Sequence, residues 1–454
     1  MSVPSIPPTR STSLTTSAKL HPAIPSPPSS PLTEPGVPRP WQHRWPLQTF
    51  RSLRHPNYRL YFFGQLVSLT GTWIQATALS WLAYHLTGES RWAAFVFGAQ
   101  MLPTCLLGPW GGSLADRVWR LGLVFICQVA LLVLALFLAG VVFAGFIAPG
   151  LLLGVAGLTG IVNAIELPAR LALVMDMVGR EDTTNAVALN SLAFNLARAI
   201  GPACGAILLD RVGPAWCFLL NALSFLAVLF ALLRMNLPPA VKGHSHPSTR
   251  VSLLEGFAYL FKRPTLILLM GLAGALAFLG WSVLSVLPAL ADRQLQADER
   301  IYGTLLSALG AGALCAALLV ASFASQRRTL SFLATGLIFV VGAEIALSQA
   351  SSLWFAFPAC TLLGCGLILF FATAQGAIHL GAAEHNRGRI LGIWTMVLGA
   401  TLPLGNVLAG YSADHWGVPV VLLTQGLAIL LLGVLTAGLA LLVWQRSPRT
   451  NQGS

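Results

Sequence analysis

Asn163, Glu166 and Arg170 fall at i, i+3 and i+7 inside one apolar run of the chain, and Ser191, Asn195 and Arg198 follow at i, i+4 and i+7 inside the next. On helices these spacings put each trio on one face. A carboxylate or guanidinium at mid-membrane costs about 2.5–3.5 kcal/mol on insertion scales, so such groups mark ion, proton or ligand paths. A Glu166–Arg198 pair between the two helices would lower the cost of both. Two readings stay open: a permanent ion pair that fixes helix packing, or a Glu166 that titrates or binds substrate while Arg198 moves between it and the ligand. Gln65, Ser68, Thr72 and Gln75, at i, i+3, i+7 and i+10, form a polar stripe on an otherwise apolar helix. Such a stripe serves either helix–helix contact or the wall of a polar cavity. No nucleophile, base and orienting group stand together, so enzymatic chemistry is not expected.

A third set is the stretch GSLADRVWR, Gly112 to Arg120, between two long apolar runs. Asp116, Arg117 and Arg120 cannot lie in hydrocarbon, so the stretch reads as a tight charged loop at a membrane surface, with Gly112 allowing the sharp turn. It is either a solvated loop or a gate. In the second case Asp116 would favour the positive N-terminal end of a neighbouring helix. The equivalent stretch after span eight, Ala324-Ser325-Gln326-Arg327-Arg328, has no acid, so the latch is one-sided.

The elements that position these groups follow from composition. Hydrophobic residues make up 56% of the 454 and charged residues 9%, with a mean hydropathy of +0.74. That is less than half the charged share usual in soluble domains, and it points to a polytopic all-α membrane protein. The net charge of +12 comes from basic residues in connections and tails, and no Gly-Lys pair occurs. A phosphate loop is therefore absent, and neither a nucleotide nor a nucleic-acid partner is expected. Cys105, Cys127, Cys204, Cys217, Cys315, Cys360 and Cys365 lie in or at the edges of apolar runs and read as small buried hydrophobes. No metal site and no cofactor are expected.

A bilayer-crossing helix needs roughly 20 mainly apolar residues. Twelve spans meet that measure: 60–86, 92–110, 121–145, 149–173, 186–208, 214–234, 265–290, 303–323, 330–349, 354–379, 389–410 and 418–444. They predict two six-helix bundles related by pseudo-two-fold symmetry, 56–235 and 264–445. A cytoplasmic linker at 236–263 joins them, and tails at 1–55, disordered by its Pro, Ser and Thr content, and 446–454 flank them. With both termini inside, 20 of the 27 Lys and Arg residues fall in inside segments and four in outside loops, which is the orientation the positive-inside bias selects. Arg54-His55-Pro56 is echoed by Lys262-Arg263-Pro264 and Asp210-Arg211-Val212-Gly213 by Asp414-His415-Trp416-Gly417. The two offsets are nearly equal and suggest a duplicated unit with substrate at the interface of the repeats. Gly201-Pro202 and Pro403 are expected to interrupt spans five and eleven.

Twelve spans in two halves, with Gly112, Asp116, Arg117 and Arg120 matching Gly-x-x-x-Asp-Arg-x-Gly-Arg, resemble the major facilitator superfamily; Trp119 stands where its Gly is expected. Glu166-Leu167-Pro168-Ala169-Arg170, Asn185 to Ser191, Asn195-Leu196-Ala197-Arg198 and Gly201-Pro202 look like the subgroup of bacterial enterobactin exporters and macrolide efflux proteins. The resemblance implies a monomeric secondary transporter in the cytoplasmic membrane. It would export a siderophore, antibiotic or other toxic amphiphile by alternating access, with the proton gradient as energy source and the lipid bilayer as its other partner. It also implies that Asp116 meets the start of span eleven, near Arg387-Gly388-Arg389, when the cavity faces outward. Spans one, four, seven and ten would line the path, adding Trp281, Ser282 and Ser285, then Gln375 and the solvated His379. Glu344, in span nine, has no assigned role. The alternatives are a lysophospholipid transporter of the same fold and a membrane scaffold or sensor without flux.

Overall fold

The computed structural model describes residues 50–235, 249–323, 325–383 and 386–446. The expectations for most of the N-terminal tail, the first half of the linker and the end of the C-terminal tail lie outside these residues. The described chain is helical apart from short turns. Its helices are α1 (Pro56–Thr87), α2 (Ser90–Arg117), α3 (Arg120–Phe143), α4 (Pro149–Gly179), α5 (Glu181–Val212), α6 (Pro214–Arg234), α7 (Thr249–Phe261), α8 (Pro264–Gln294), α9 (Glu299–Phe323), α10 (Thr329–Ser348), α11 (Leu353–Gly381), α12 (Arg387–Trp416) and α13 (Val418–Arg446). Ten of them, α3–α6 and α8–α13, are long and apolar enough to cross a membrane, and α2, bent by 57° between Gly108 and Trp110, makes eleven. Of the twelve expected spans, the first falls short on apolarity alone. Helix α1 is 32 residues long, but its amides and hydroxyls dilute it.

Local chemistry sets the helix ends. Pro56, Pro149, Pro214 and Pro264 open α1, α4, α6 and α8, where the N–H that proline lacks has no helical partner anyway. Between α4 and α5 the chain breaks only at Gly179, with φ 72° and ψ 175°, a conformation that costs a side chain but not a glycine. The interruptions expected at Pro202 and Pro403 do not occur, because α5 and α12 run on through both. The carbonyl that Pro202 leaves without its helical donor is that of Arg198, four residues back. It lies against Gly310 of α9, where a Cβ would come within 2.5 Å of it. The proline therefore frees a carbonyl at a helix contact without ending the helix. Likewise the tail expected to run to residue 55 is already ordered at Arg51–Arg54, a single tight helical turn.

The helix pairings repeat along the chain. The pairs α2–α4 and α3–α6 in the first six helices have counterparts in α9–α11 and α10–α13, and the crossing pairs α2–α12 and α5–α9 mirror each other. Small residues set these distances, as they do wherever membrane helices pack without a hydrophobic drive. A Cβ on Gly410 of α12 would lie 2.7 Å from Ala94 Cβ of α2. One on Gly364 of α11 would collide with the Leu309 carbonyl of α9, whereas nothing lies within 4 Å of the same atom on Gly271. Gly364→Ala should therefore cost about 1–3 kcal/mol through overpacking and lower the thermal unfolding midpoint of the detergent-purified protein. Gly271→Ala should leave that midpoint unchanged or slightly raised.

Candidate functional site

A cavity of about 350 Å³ lies among α1–α6, α8 and α9. Its polar wall comes from four helices: Gln65, Ser68 and Thr72 on α1, Gln100 and Thr104 on α2, Gln128 on α3, and Asn163, Glu166 and Arg170 on α4. The α1 stripe is thus a cavity wall over three of its four residues. The fourth, Gln75, faces an adjoining void of about 40 Å³ and accepts a hydrogen bond from Asn221 of α6 at 2.8 Å. The last six helices contribute only Leu284, Tyr302 and Leu306. Trp281, Ser285 and Gln375, expected to line the cavity, are not among its walls. Ser285 instead donates to the carbonyls of Ser282 and Asn406, at 2.8 and 3.1 Å, a contact that packs α8 on α12, and Gln375 is exposed on α11.

The buried charges pair differently from the expectation. Glu166, 4% exposed, meets Arg170 one turn along the same helix, with Nε 3.5 Å from Oε1, and its Oε1 accepts a hydrogen bond from Gln128 Nε2 at 3.2 Å. Arg198 takes no part. Its Nη2 donates to Asn195 Oδ1 at 2.8 Å, its guanidinium lies over the rings of Phe194 and Trp281 at 5.9 and 5.7 Å, and among the described residues no carboxylate pairs with it. The local partner prevails because an i,i+4 pair forms on one helix without ordering a second. Tyr61 Oη, Gln65 Oε1 and Gln128 Oε1 are buried without a hydrogen-bond partner among the described residues. Tyr61, Gln100, Thr104 and Gln128 escaped the sequence analysis; a lone amide in the apolar run of α3 was the available signal for Gln128.

The face that carries the α2–α3 turn is open at the latch. Gly112 lies inside α2, and the turn consists of Val118 and Trp119 in extended conformation, with φ −111° and −65°. The expected sharp turn at Gly112 is therefore absent. No positive φ is needed, so Trp119 fits where a glycine was expected. Asp116 is 75% exposed, 3.7 Å from Arg120, while Arg120 binds both oxygens of Asp176 at the end of α4, at 2.9 and 3.0 Å. Arg117 is exposed. Arg389, near the expected partner of Asp116, pairs instead with Glu255 of α7 at 2.7 Å. A second cluster on this face was not anticipated. The side chain of Asp182, 1% exposed, lies 2.8 Å from each of Arg51 Nε, Arg54 Nη2 and His55 Nε2, and Tyr58 Oη donates to the Ala186 carbonyl at 2.8 Å. Together these dock the chain leading into α1 on the start of α5.

The opposite face is closed. Asp414, at the end of α12 and 10% exposed in its side chain, accepts the backbone N–H groups of Ser90 and Arg91 at the start of α2, at 2.7 and 3.0 Å. Tyr84 Oη donates to Asp292 at 2.6 Å, Arg293 donates to the Gly88 carbonyl, and Trp81 stacks on Tyr302 at 5.5 Å. Among the described residues, every hydrogen bond joining α1–α6 to α8–α13 lies on this face.

Other features stand apart. A larger groove of about 620 Å³ runs along α9 and α11 beside the exposed Trp354; it has no charged wall and reads as a lipid-facing crevice. Of the seven thiols only Cys127, Cys217 and Cys360 are buried as expected, while Cys204 and Cys315 are exposed. His379 is exposed on α11. Glu344 is fully buried on α10, and neither carboxyl oxygen has a hydrogen-bond partner among the described residues.

A carboxylate on a partly buried helix N-terminus contributes up to about 2 kcal/mol, enough to shift a two-state balance by roughly 5–30-fold. In a cysteine-free background, Asp414→Ala should therefore speed labelling of Ser80→Cys, on the cavity wall, by a membrane-impermeant thiol reagent applied from the closed face. An unchanged rate would mean that Asp414 holds nothing shut.

Comparison with known proteins agrees with this geometry. The chain is 28% identical to the enterobactin exporter EntS of Shigella flexneri over 414 residues, 86% of this chain and 93% of that one. It is 23% identical to the staphyloferrin A transporter of Staphylococcus aureus over 367 residues, 79% and 90% of the two chains. Among solved structures, the nucleoside transporter NupG superposes with a TM-score of 0.68 at 12% identity, covering 84% of this chain and 98% of that one. An inward-facing, unoccupied bacterial homologue of the human lysosomal transporter Spinster does so with a TM-score of 0.64 at 15% identity, covering 84% and 96%. The family model described as transmembrane secretion effector matches residues 47–452. The chain thus belongs to the transmembrane secretion effector family of the major facilitator superfamily, and it is a multi-pass membrane transporter of small molecules and not an enzyme.

Proposed function

We propose that this protein is a proton-coupled exporter of a medium-sized organic compound, working by alternating access between two six-helix bundles of twelve spans in the plasma membrane. The observation that carries the reading is the polar cavity whose charged walls are Glu166 and Arg170. A titratable carboxylate facing a cavity inside a membrane bundle is the arrangement that proton coupling needs, and its i,i+4 partner gives it a counter-charge that substrate or proton can displace. The fold and the EntS and staphyloferrin A relatives support a siderophore or similar amphiphile as cargo. The positive-inside count supports the α2–α3 turn facing the cytoplasm. With that orientation, closure at Asp414 and exposure of Asp116 describe an inward-facing state. In the outward-facing state Asp116 would take the start of α12 as Asp414 takes the start of α2 here. A scaffold without flux is disfavoured by the cavity itself, since amides, hydroxyls and an ion pair line it where large apolar side chains would fill an idle bundle.

Two measurements test this. Cells with and without the protein should differ in accumulation of at least one compound in a panel of siderophores and drugs, and a protonophore should abolish the difference. Glu166→Gln should reduce uphill export by an order of magnitude or more, on the scale of losing one charge-assisted contact of about 1.5–3 kcal/mol. Wild-type export by that variant, with proton-gradient dependence intact, would remove Glu166 from the coupling step.

A further inference from the structure

Because Glu166 and Arg170 cancel each other, the buried charge left over near the transport path is Arg198. It is 6% exposed, and among the described residues its Nε has no hydrogen-bond partner and its side chain bonds only to the neutral Asn195. Rings cover the guanidinium from both repeats: Phe194 of α5 at 5.9 Å and Trp281 of α8 at 5.7 Å. The aromatic contacts continue on either side. Phe194 meets Trp73 of α1 edge-on at 5.8 Å, Trp281 meets Phe371 of α11 at 6.4 Å, and Phe371 meets Trp394 of α12 at 6.2 Å. Phe194 and Trp73 are themselves walls of the cavity.

Cation–π contact stabilises a buried guanidinium but does not neutralise it. The rings contact the group without answering its charge, and among the described residues the acceptor for its N–H donors is Asn195 Oδ1 alone, so donors remain for a planar anion, which a guanidinium binds in bidentate fashion. We infer that Arg198 is the anion-recognising residue of the transport path and that it selects aromatic compounds bearing a carboxylate or comparable planar anionic group. This deepens the transport reading and rests on it. The anionic group supplies the missing counter-charge, and the ring of the same molecule packs against Trp73 and Phe194 on the cavity wall, while Trp281 holds the guanidinium from behind. A cationic amphiphile of the same size meets an uncompensated positive charge and is rejected. A pairing of Arg198 with Glu166 would cancel this charge, but Glu166 pairs with Arg170 and among the described residues no carboxylate pairs with Arg198.

The experiment uses the full-length protein in lipid nanodiscs, with salicylate, its neutral isostere salicylamide and inorganic phosphate as probes and tryptophan fluorescence as readout. The wild type should bind salicylate at least about tenfold more tightly than salicylamide, the discrimination expected of a charge-assisted bidentate pair. Arg198→Gln should bring the two probes to near-equal affinity mainly by weakening salicylate, and Arg198→Lys should keep part of the preference. Trp281→Leu, which leaves the charge in place, should weaken salicylate while preserving its preference over salicylamide, and it serves if Arg198→Gln does not fold. Equal affinities in the wild type, a preference that survives in Arg198→Gln, or displacement of salicylate by phosphate at matching concentration would overturn the inference. The two readings separate cleanly. The expected binding pattern in a protein that exports nothing would retain the anion site and remove the transporter, whereas export without charge preference would do the reverse.

Discussion

Glu166 and Arg170 neutralise each other within a single helix, and the rest of the site depends on that. A pair at i and i+4 moves as one body with its helix, so the packing of neighbouring helices can change without stranding either charge. Had Glu166 been joined to Arg198, relative motion of α4 and α5 would have separated two buried charges, at a cost that removing one partner of a buried pair puts at about 3–5 kcal/mol. The local pair avoids that penalty and leaves Gln128 to hold the same carboxylate from α3. It also leaves Arg198 among aromatic rings, with no negative partner among the described residues.

The contact between the two sets of helices combines rigid and releasable parts. Glycines at Gly310 and Gly410 let backbones approach to distances that a side chain would forbid, and such contacts carry dispersion without holding charge. The polar contacts are few and concentrated at the Asp414 face, where a carboxylate caps a helix on the other side of the contact. Electrostatic capping of this kind contributes up to about 2 kcal/mol, enough to bias the contact without locking it. The turn face has its own ion pairs, at Asp176 and Asp182, but these tie helices of the first repeat to one another. Neither of them crosses to α8–α13.

Much of the cavity wall is legible in the residue spacing. Gln65, Ser68, Thr72, Asn163, Glu166 and Arg170 were singled out by helical spacing and do converge on one cavity. The residues expected on the far wall do not line this cavity. Trp281, Ser285 and Gln375 belong to helices that the resemblance placed around the path, but membership of a helix does not say which of its faces looks inward, and Ser285 commits its hydroxyl to the backbone of α12. Asp414 stands out in the sequence as half of a repeated motif with Asp210, yet nothing in that repeat indicates that its carboxylate would cap α2.

What the residues determine by themselves is periodicity and insulation. Backbone groups in hydrocarbon must bond within their own segment, so a long apolar run becomes a helix whatever surrounds it, and the polar positions along it then share a face by geometry alone. The partner of each polar group is a different matter. Glu166 had two basic residues within plausible reach, and only the assembled bundle decided between them. The same holds for Trp119, harmless because the turn happens to be extended, and for Pro202, which frees a carbonyl against a neighbouring glycine without ending its helix. In each case the deciding quantity is the position of a second helix, set by side-chain volumes and close backbone contacts far along the chain, and no spacing within one segment contains it.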